Sequence, residues 1–166
     1  RYVSYVALND AVNALANGFL SLGSGEGSHI AWWGNNSLEI VTAIHAIRKS
    51  GGVSIPIPYK STSDEALYLL QAADVAILLI ESQYLPILEP IRDQLTSLKH
   101  IVSFGDDLVN DESIPMGDVL GSSTRPVTEG NYTSTQQMIF TSGTTGKPKG
   151  AIRKVGGEAN QFGPLF

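Results

Sequence analysis

The 166-residue chain contains no cysteine. Disulfide frameworks, thiolate nucleophiles and cysteine-zinc sites are therefore excluded, and a cytoplasmic home fits this composition. Long apolar runs are also missing. A membrane helix needs about 18 consecutive apolar residues, whereas the most apolar stretch here, Val75 to Ile80, has the length of a buried strand. The opening Arg1-Tyr2-Val3-Ser4-Tyr5 has neither an initiator Met nor the apolar core of a signal peptide. Positive charge is scarce, with 11 Lys and Arg against 16 Asp and Glu and a net charge of −5. Such a balance argues against a general nucleic-acid binder, because a phosphate backbone demands a basic face. His29, His45 and His100 stand far apart without metal-ligand spacing and read as structural residues. Asp106, Asp107, Asp111 and Glu112 lack the alternate spacing and closing Glu of an EF-hand and read as a solvated loop.

What remains is a folded composition, 42% hydrophobic and 16% charged, long enough for one domain with a sizeable core. The scarce positive charge is unevenly spread. Lys147, Lys149, Arg153 and Lys154 fall within eight positions, and no acid lies between Glu129 and Glu158. A local cationic stretch in an acidic chain favours one compact anion over a long polymer, with a solvated basic loop as the plain alternative.

Hydrophobic spacing then sets out the elements. Leu8, Val12, Leu15, Phe19 and Leu22 recur at steps of four and three, predicting a helix from Ser4 as N-cap to a stop at Gly23. The run Gly23-Ser24-Gly25-Glu26-Gly27 lacks dinucleotide-fingerprint spacing and follows a helix, so it reads as a turn. His29 to Trp33 reads as a strand, with Trp32 and Trp33 on opposite faces. Asn36 and Glu39 have capping-box spacing, predicting a helix to about Ser50 that buries Leu38, Val41, Ile44 and Ile47. Val53 to Ile57 is a strand cut off by Pro56 and Pro58, and Ser63 to Ala73 a helix with acids in its first turn. Val75 to Ile80 and Lys99 to Phe104 read as strands. Leu85 to Leu98 is helical in pattern, interrupted by Pro86 and Pro90. Gly105 to Thr135 reads as a long loop with a short helix near Met116 to Leu120, and Gln137 to Phe140 as a strand. The alternation predicts an α/β fold, a parallel-rich sheet flanked by helices.

That last strand runs into Thr141-Ser142-Gly143-Thr144-Thr145-Gly146-Lys147-Pro148-Lys149-Gly150. Glycines let backbone amides approach an anion closely, four hydroxyls add donors, and two lysines add charge. After a strand, at the carboxyl edge of a sheet, this composition describes a phosphate cradle. The P-loop of NTPases does not fit: only two residues separate Gly143 from Gly146, and Pro148 follows Lys147 where a magnesium-binding Ser or Thr belongs.

Residue for residue, this segment resembles the signature of the adenylate-forming superfamily, which holds acyl-CoA synthetases, peptide-synthetase adenylation domains and firefly-type luciferases. Ser4-Tyr5, Asn36-Ser37 with Glu39, Ala46 to Gly52, and Ile55-Pro56-Ile57 resemble the family's upstream landmarks in order. The resemblance spans nearly the whole chain, and its first half looks most like the fatty-acyl CoA synthetases. It implies that residues 1–166 form the first part of a large N-terminal adenylation domain, ending just after the phosphate loop. It further implies ATP, Mg2+ and CoA as reaction partners, with a carboxylic acid, expected to be a fatty acid, activated first as acyl-adenylate and then as acyl-CoA.

By carry-over, Thr141, Ser142, Gly143, Thr144, Thr145 and Gly146 hold the β- and γ-phosphates, with Lys149 as the motif's catalytic lysine and Lys147 at a variable position. No metal ligand is assigned within the chain. Two departures stand out: no His follows the loop, where many relatives carry a Ser/Thr-His pair, and the chain is far shorter than family members. Arg153 and Lys154 read as a solvated basic turn. The piece alone is expected to be inactive. Carrier-loading adenylation of an amino acid or aryl acid, and a non-catalytic nucleotide-binding module, are the alternatives. No membrane span and no nucleic-acid partner are expected, and the sequence does not speak to oligomeric state.

Overall fold

The computed structural model describes residues 2–105, 112–121, 123–127, 135–141 and 149–155. Helix α1 (Tyr5–Ser21) starts where its cap chemistry places it, with Ser4 Oγ accepting from the Ala7 N–H at 3.2 Å. Val12, Leu15 and Phe19 are buried along its inner face, and Leu8 and Leu22 extend that stripe. Each fully buried side chain of this size contributes about 1.5–3 kcal/mol from burial. Gly23 and Gly27 adopt the left-handed conformation of a turn, as the glycine run predicts.

Strands β1 (His29–Trp33), β2 (Val53–Ile57), β3 (Ile77–Glu81) and β4 (His100–Phe104) alternate with helices α2 (Leu38–Lys49) and α3 (Ser63–Ala72). A short strand β5 (Ser113–Pro115) and a single-turn helix α5 (Met116–Val119) follow, then β6 (Thr135–Thr141) and β7 (Lys149–Val155). The seven strands form one sheet in the order β5-β4-β3-β1-β2-β6-β7, parallel except for the β6–β7 pair. Helices cover both faces, so the inner strands read as near-continuous apolar runs such as Ile77-Leu78-Leu79-Ile80. On one face Ile30, Leu79 and Val102 meet Leu15, Phe19, Ile40 and Ile47 of α1 and α2. On the other, Ala31, Ile55, Leu78 and Ile80 meet Leu69 and Leu70 of α3 and Leu85, Leu88 and Ile91 after β3. Trp32 and Trp33 split between the two faces as strand alternation requires.

Several local expectations change. The cap of α2 is Ser37, whose Oγ accepts from the Ile40 N–H at 3.2 Å. Asn36 therefore lies outside the helix, and Glu39 stands at its second position, too early for a capping box. The buried face rotates accordingly. Ile40, Ala43, Ala46 and Ile47 are fully buried, Leu38 and Ile44 are half-buried, and Val41 is 42% exposed. The alanines let α2 lie close to α1 and the sheet. The box appears instead at α3, where Thr62 and Glu65 cap reciprocally. Pro56 does not end β2 but pairs with Trp32 inside it. The ladder from β2 to β6 covers only Val53 and Ser54, so Pro56 lies beyond it on an effectively open side.

Pro86 and Pro90 break the expected helix over 85–98 into a 3₁₀ turn (Ser82–Tyr84), one α-turn α4 (Leu85–Leu88) and a second 3₁₀ stretch (Glu89–Gln94). Within the expected long loop, α5 falls where the short helix is predicted, and β5 adds an edge strand parallel to β4.

The return toward β6 is clasped to α1. Asn13 Nδ2 donates to the Thr124 carbonyl at 2.9 Å, and Asn17 Nδ2 donates to those of Ser123 and Arg125, each at 3.1 Å. Lys49 of α2 donates to Asn9 and Asn13 Oδ1 at 2.7 Å, fixing the buried Asn13 amide so that its nitrogen faces the return segment.

Candidate functional site

The two ends of the signature segment are brought together by strand pairing. β6 and β7 are antiparallel, with Met138 opposite Ile152, Phe140 opposite Gly150, and Thr141 opposite Lys149. Residues 142–148 connect them. Ser142, Gly143, Thr144, Thr145 and Gly146, the expected phosphate contacts, lie outside the described residues, together with Lys147 and Pro148. The described anchors are Thr141 and Lys149, both exposed. Directly opposed residues of an antiparallel pair share a face, and the next pair along takes the other face. Thr141 and Lys149 thus stand together on one face, and Phe140 and Gly150 on the opposite one. That second face is packed: Met138 is buried, and Phe140 is half-buried against the core cluster that includes Trp33 and Ile57.

Topology explains why the loop emerges there. In open α/β sheets, ligands gather at the carboxyl ends of strands where successive connections diverge. Such a reversal lies between β2 and β6: β2 connects back across β1 to β3, whereas β6 connects outward to β7. The same edge holds residues the sequence reading did not single out. Tyr59 and Lys60 follow β2 after Pro58 and are exposed, with Lys60 Nζ 5.4 Å from the Tyr59 ring centroid. The findable signal was a lysine just past the carboxyl end of a buried strand.

The basic residues after the loop behave differently from expectation. Residues 151–155 are not a turn but part of β7, with Arg153 opposite Gln137 and Lys154 opposite Gln136. At about 3.4 Å per residue, Arg153 is about 14 Å along the strand from Lys149.

A second reversal lies between β1 and β3, whose connections lead to opposite sides. Here the crevice is filled. Glu81 Oε2 accepts from the Asn35 backbone N–H at 2.8 Å and from Asn35 Nδ2 at 3.1 Å. Asn35 Nδ2 also donates to Tyr84 Oη at 2.9 Å, and the Tyr84 ring stacks on Trp33 at 5.6 Å. A side chain at Gly34 would meet Phe104 Cζ at 2.8 Å and Glu81 Cβ at 3.2 Å.

Among the described residues, the remaining polar side chains add no second constellation. His29 bonds the Ala73 carbonyl through Nδ1, and Glu112 pairs with Arg92 at 3.5 Å. His45 lies on the outer side of α2, where burial, then Arg48 and Lys49, hold its pKa below the ordinary imidazole value. Among the described residues, no three His, Asp or Glu side chains are grouped to hold a metal ion. Among them too, no helix is long and apolar enough to cross a membrane. A cavity of about 220 Å³ lined by Leu70, Val75, Leu95 and Leu98 opens at the amino end of the sheet, away from the loop.

Known proteins share this arrangement. The profile of the AMP-binding enzyme family matches residues 1–162. The crotonobetaine/carnitine–CoA ligase of Salmonella agona is 33% identical over 159 residues, covering 92% of this chain and 30% of the relative. The chain thus spans about 30% of the length of the curated relatives it matches. The anthranilate CoA ligase AuaEII, solved with anthranoyl-AMP, superposes with a TM-score of 0.83 at 26% identity, over 93% of this chain and 30% of that one. A putative long-chain-fatty-acid CoA ligase from Rhodopseudomonas palustris has the same fold, with a TM-score of 0.80 at 21% identity over 92% of this chain and 38% of that one. Since the family profile runs through every described strand and helix and the relatives are CoA ligases, the chain belongs to the AMP-binding enzyme family.

Proposed function

We propose that this chain is the phosphate-loop part of an ATP-dependent acyl-CoA ligase. The observation that carries this reading is the pairing of Thr141 with Lys149 on one exposed face, at a strand end where the sheet's connections diverge. In the reaction, an acid's carboxylate oxygen attacks the α-phosphorus of ATP, the α–β bridging bond breaks, and pyrophosphate leaves. The CoA thiol then attacks the acyl carbonyl carbon and AMP departs. The chain's part is to orient the leaving pyrophosphate: loop amides and hydroxyls over 141–146 hold the β- and γ-phosphates, and Lys149 offsets the charge that builds on them. Magnesium, when bound, supplies further charge neutralisation on the phosphates.

The acid is proposed to be a fatty acid. The shared fold with fatty-acyl ligases is compatible with that choice but does not select it. Crotonobetaine, carnitine and anthranilate, named by the relatives, belong in the same test. Aryl-acid or amino-acid loading of a carrier protein is distinguished by its product, since it transfers the acyl group to a carrier thiol rather than to CoA. We further propose that the 166 residues alone do not turn over, because the relatives' catalytic unit is about three times longer, the inverse of the 30% coverage.

The test is ATP–pyrophosphate exchange by the complete parent enzyme with fatty acids, aryl acids, carnitine-type acids and amino acids, with this chain run in parallel. Exchange by the parent alone supports both proposals, and exchange with no acid in either sample would overturn the first. Lys149→Ala should lower exchange on the order of 100-fold, the size of one lost charge-stabilising contact, and Lys147→Ala far less. Equal losses would remove the special role given to Lys149.

A further inference from the structure

We propose that Phe140 is a positioning residue for the phosphate loop, its ring lying across Gly150 to hold Thr141 and Lys149 opposite each other. This inference rests on the loop's proposed role. A Cβ built on Gly150 would meet Phe140 Cε1 at 3.1 Å, Phe140 Cζ at 3.4 Å and Met138 Sδ at 3.1 Å. The last glycine of the signature is therefore the floor on which an aromatic ring lies. An aromatic side chain covering a cross-strand glycine is a known way to pin strand register.

Register matters here because little else enforces it. Among the described strands, β7 lies outermost in the sheet and has β6 as its one neighbour. Neither face holds β7 firmly: Ile152, on the same face as Phe140, is 47% exposed, and on the other face Ile139 of β6, opposite Ala151, is 39% exposed. A strand whose faces are both weakly buried can slip, and a one-residue slip sends every side chain to the other face. Lys149 would then leave the face it shares with Thr141. Phe140 counters this from the packed side, since its ring is held by the core cluster below and rests on Gly150 beside it. The glycine leaves room for the ring, and the ring marks which residue must stand opposite Phe140.

Because the chain contains no cysteine, register can be read without any catalytic assay. Thr141→Cys with Lys149→Cys places two thiols at directly opposed positions, suited to a disulfide under mild oxidation. The expected result is ready cross-linking, reduced several-fold by adding Phe140→Ala and restored by Phe140→Tyr. In the complete parent enzyme, Phe140→Ala should raise KM for ATP about ten-fold, the scale of coupling between contacting residues, with KM for the acid unchanged.

Gly150→Ala should reproduce that ATP defect, and the double variant should be no worse than the more impaired single one. Cross-linking indifferent to Phe140, an equal rise in both KM values, or multiplicative effects of the two substitutions would each overturn the proposal. A parent enzyme with no exchange activity but Phe140-dependent cross-linking would instead refute the function and leave the positioning role standing.

Discussion

The carboxyl edge of the sheet has two places where strand connections diverge, one between β1 and β3 and the other between β2 and β6. At the first, Asn35, Glu81, Tyr84 and Phe104 fill the space above Gly34 with hydrogen bonds and ring contacts. At the second, Thr141 and Lys149 stand exposed, with Tyr59 and Lys60 exposed after the neighbouring strand. Topology alone nominates both as ligand sites. Side-chain chemistry separates them. Donors and acceptors that satisfy one another close a crevice, whereas exposed cations and hydroxyls with no acidic partner among the described residues leave one open to a ligand.

The largest effect on this contrast should come from the closed end. Gly34→Ala places a methyl group 2.8 Å from Phe104 Cζ and 3.2 Å from Glu81 Cβ. Overpacking of this kind costs about 1–3 kcal/mol, read as a lower denaturant midpoint with an unchanged slope. Gly117→Ala, where nothing lies within 4 Å, serves as control and should stay within about 0.5 kcal/mol of the parent. If both changes were equally mild, the crevice between β1 and β3 would not be filled, and the contrast would fail.

Much of the fold could be read from the chain before any coordinates, for local reasons. Ser4 and the 3.6-residue stripe through Phe19 define α1, and the strands β1 to β4 announce themselves by short apolar runs between turn residues. What escaped notice depends on residues distant in sequence. The Asn17 clasp joins positions 106 apart, and the Asn35–Glu81 bond joins positions 46 apart. Periodicity carries no trace of such pairs. β5 is three residues long, with its Pro115 in the ladder, and gives almost no pattern. β7 was mistaken for a basic turn because the adjacent Arg153 and Lys154 interrupt the apolar alternation by which a strand is read. For the site, the sequence carried the motif and its resemblance to a family, while the opposition of Thr141 and Lys149 needed β7 to be seen as a strand.

A smaller effect, with sharper meaning for function, should follow Glu81→Gln. The carboxylate accepts two bonds from Asn35 on Oε2 and one from Gln83 on Oε1. An amide at that place turns one acceptor into a donor and removes the charge, at about 1–2 kcal/mol. Because this end is closed, stability should fall while KM for ATP in the parent enzyme stays the same. A shift in KM for ATP with little loss of stability would move the β1–β3 end into the nucleotide site and dissolve the distinction between the two ends.

The smallest effect should lie at neither end, on α2, and it separates general acid sensitivity from either site. Partial desolvation of the His45 ring where it lies against α2, then the charges of Arg48 and Lys49, hold its pKa below that of an unfolded imidazole, although the residue as a whole is exposed. A depressed value in the folded state means that the unfolded chain takes up the proton first as pH falls. The contribution to stability is therefore whole above the unfolded pKa, and it declines through the imidazole range until the folded group is protonated too. His45→Gln removes that proton uptake, so its melting temperature should fall less than the parent's between neutral and mildly acidic pH. His45 is exposed and solvent screens Arg48 and Lys49, so the difference should be only about 1 °C. A variant that loses more stability on acidification than the parent would show the sign of the shift to be reversed. An acid limb unchanged within error would mean that water around α2 cancels the repulsion, and the proposed role of His45 would fall.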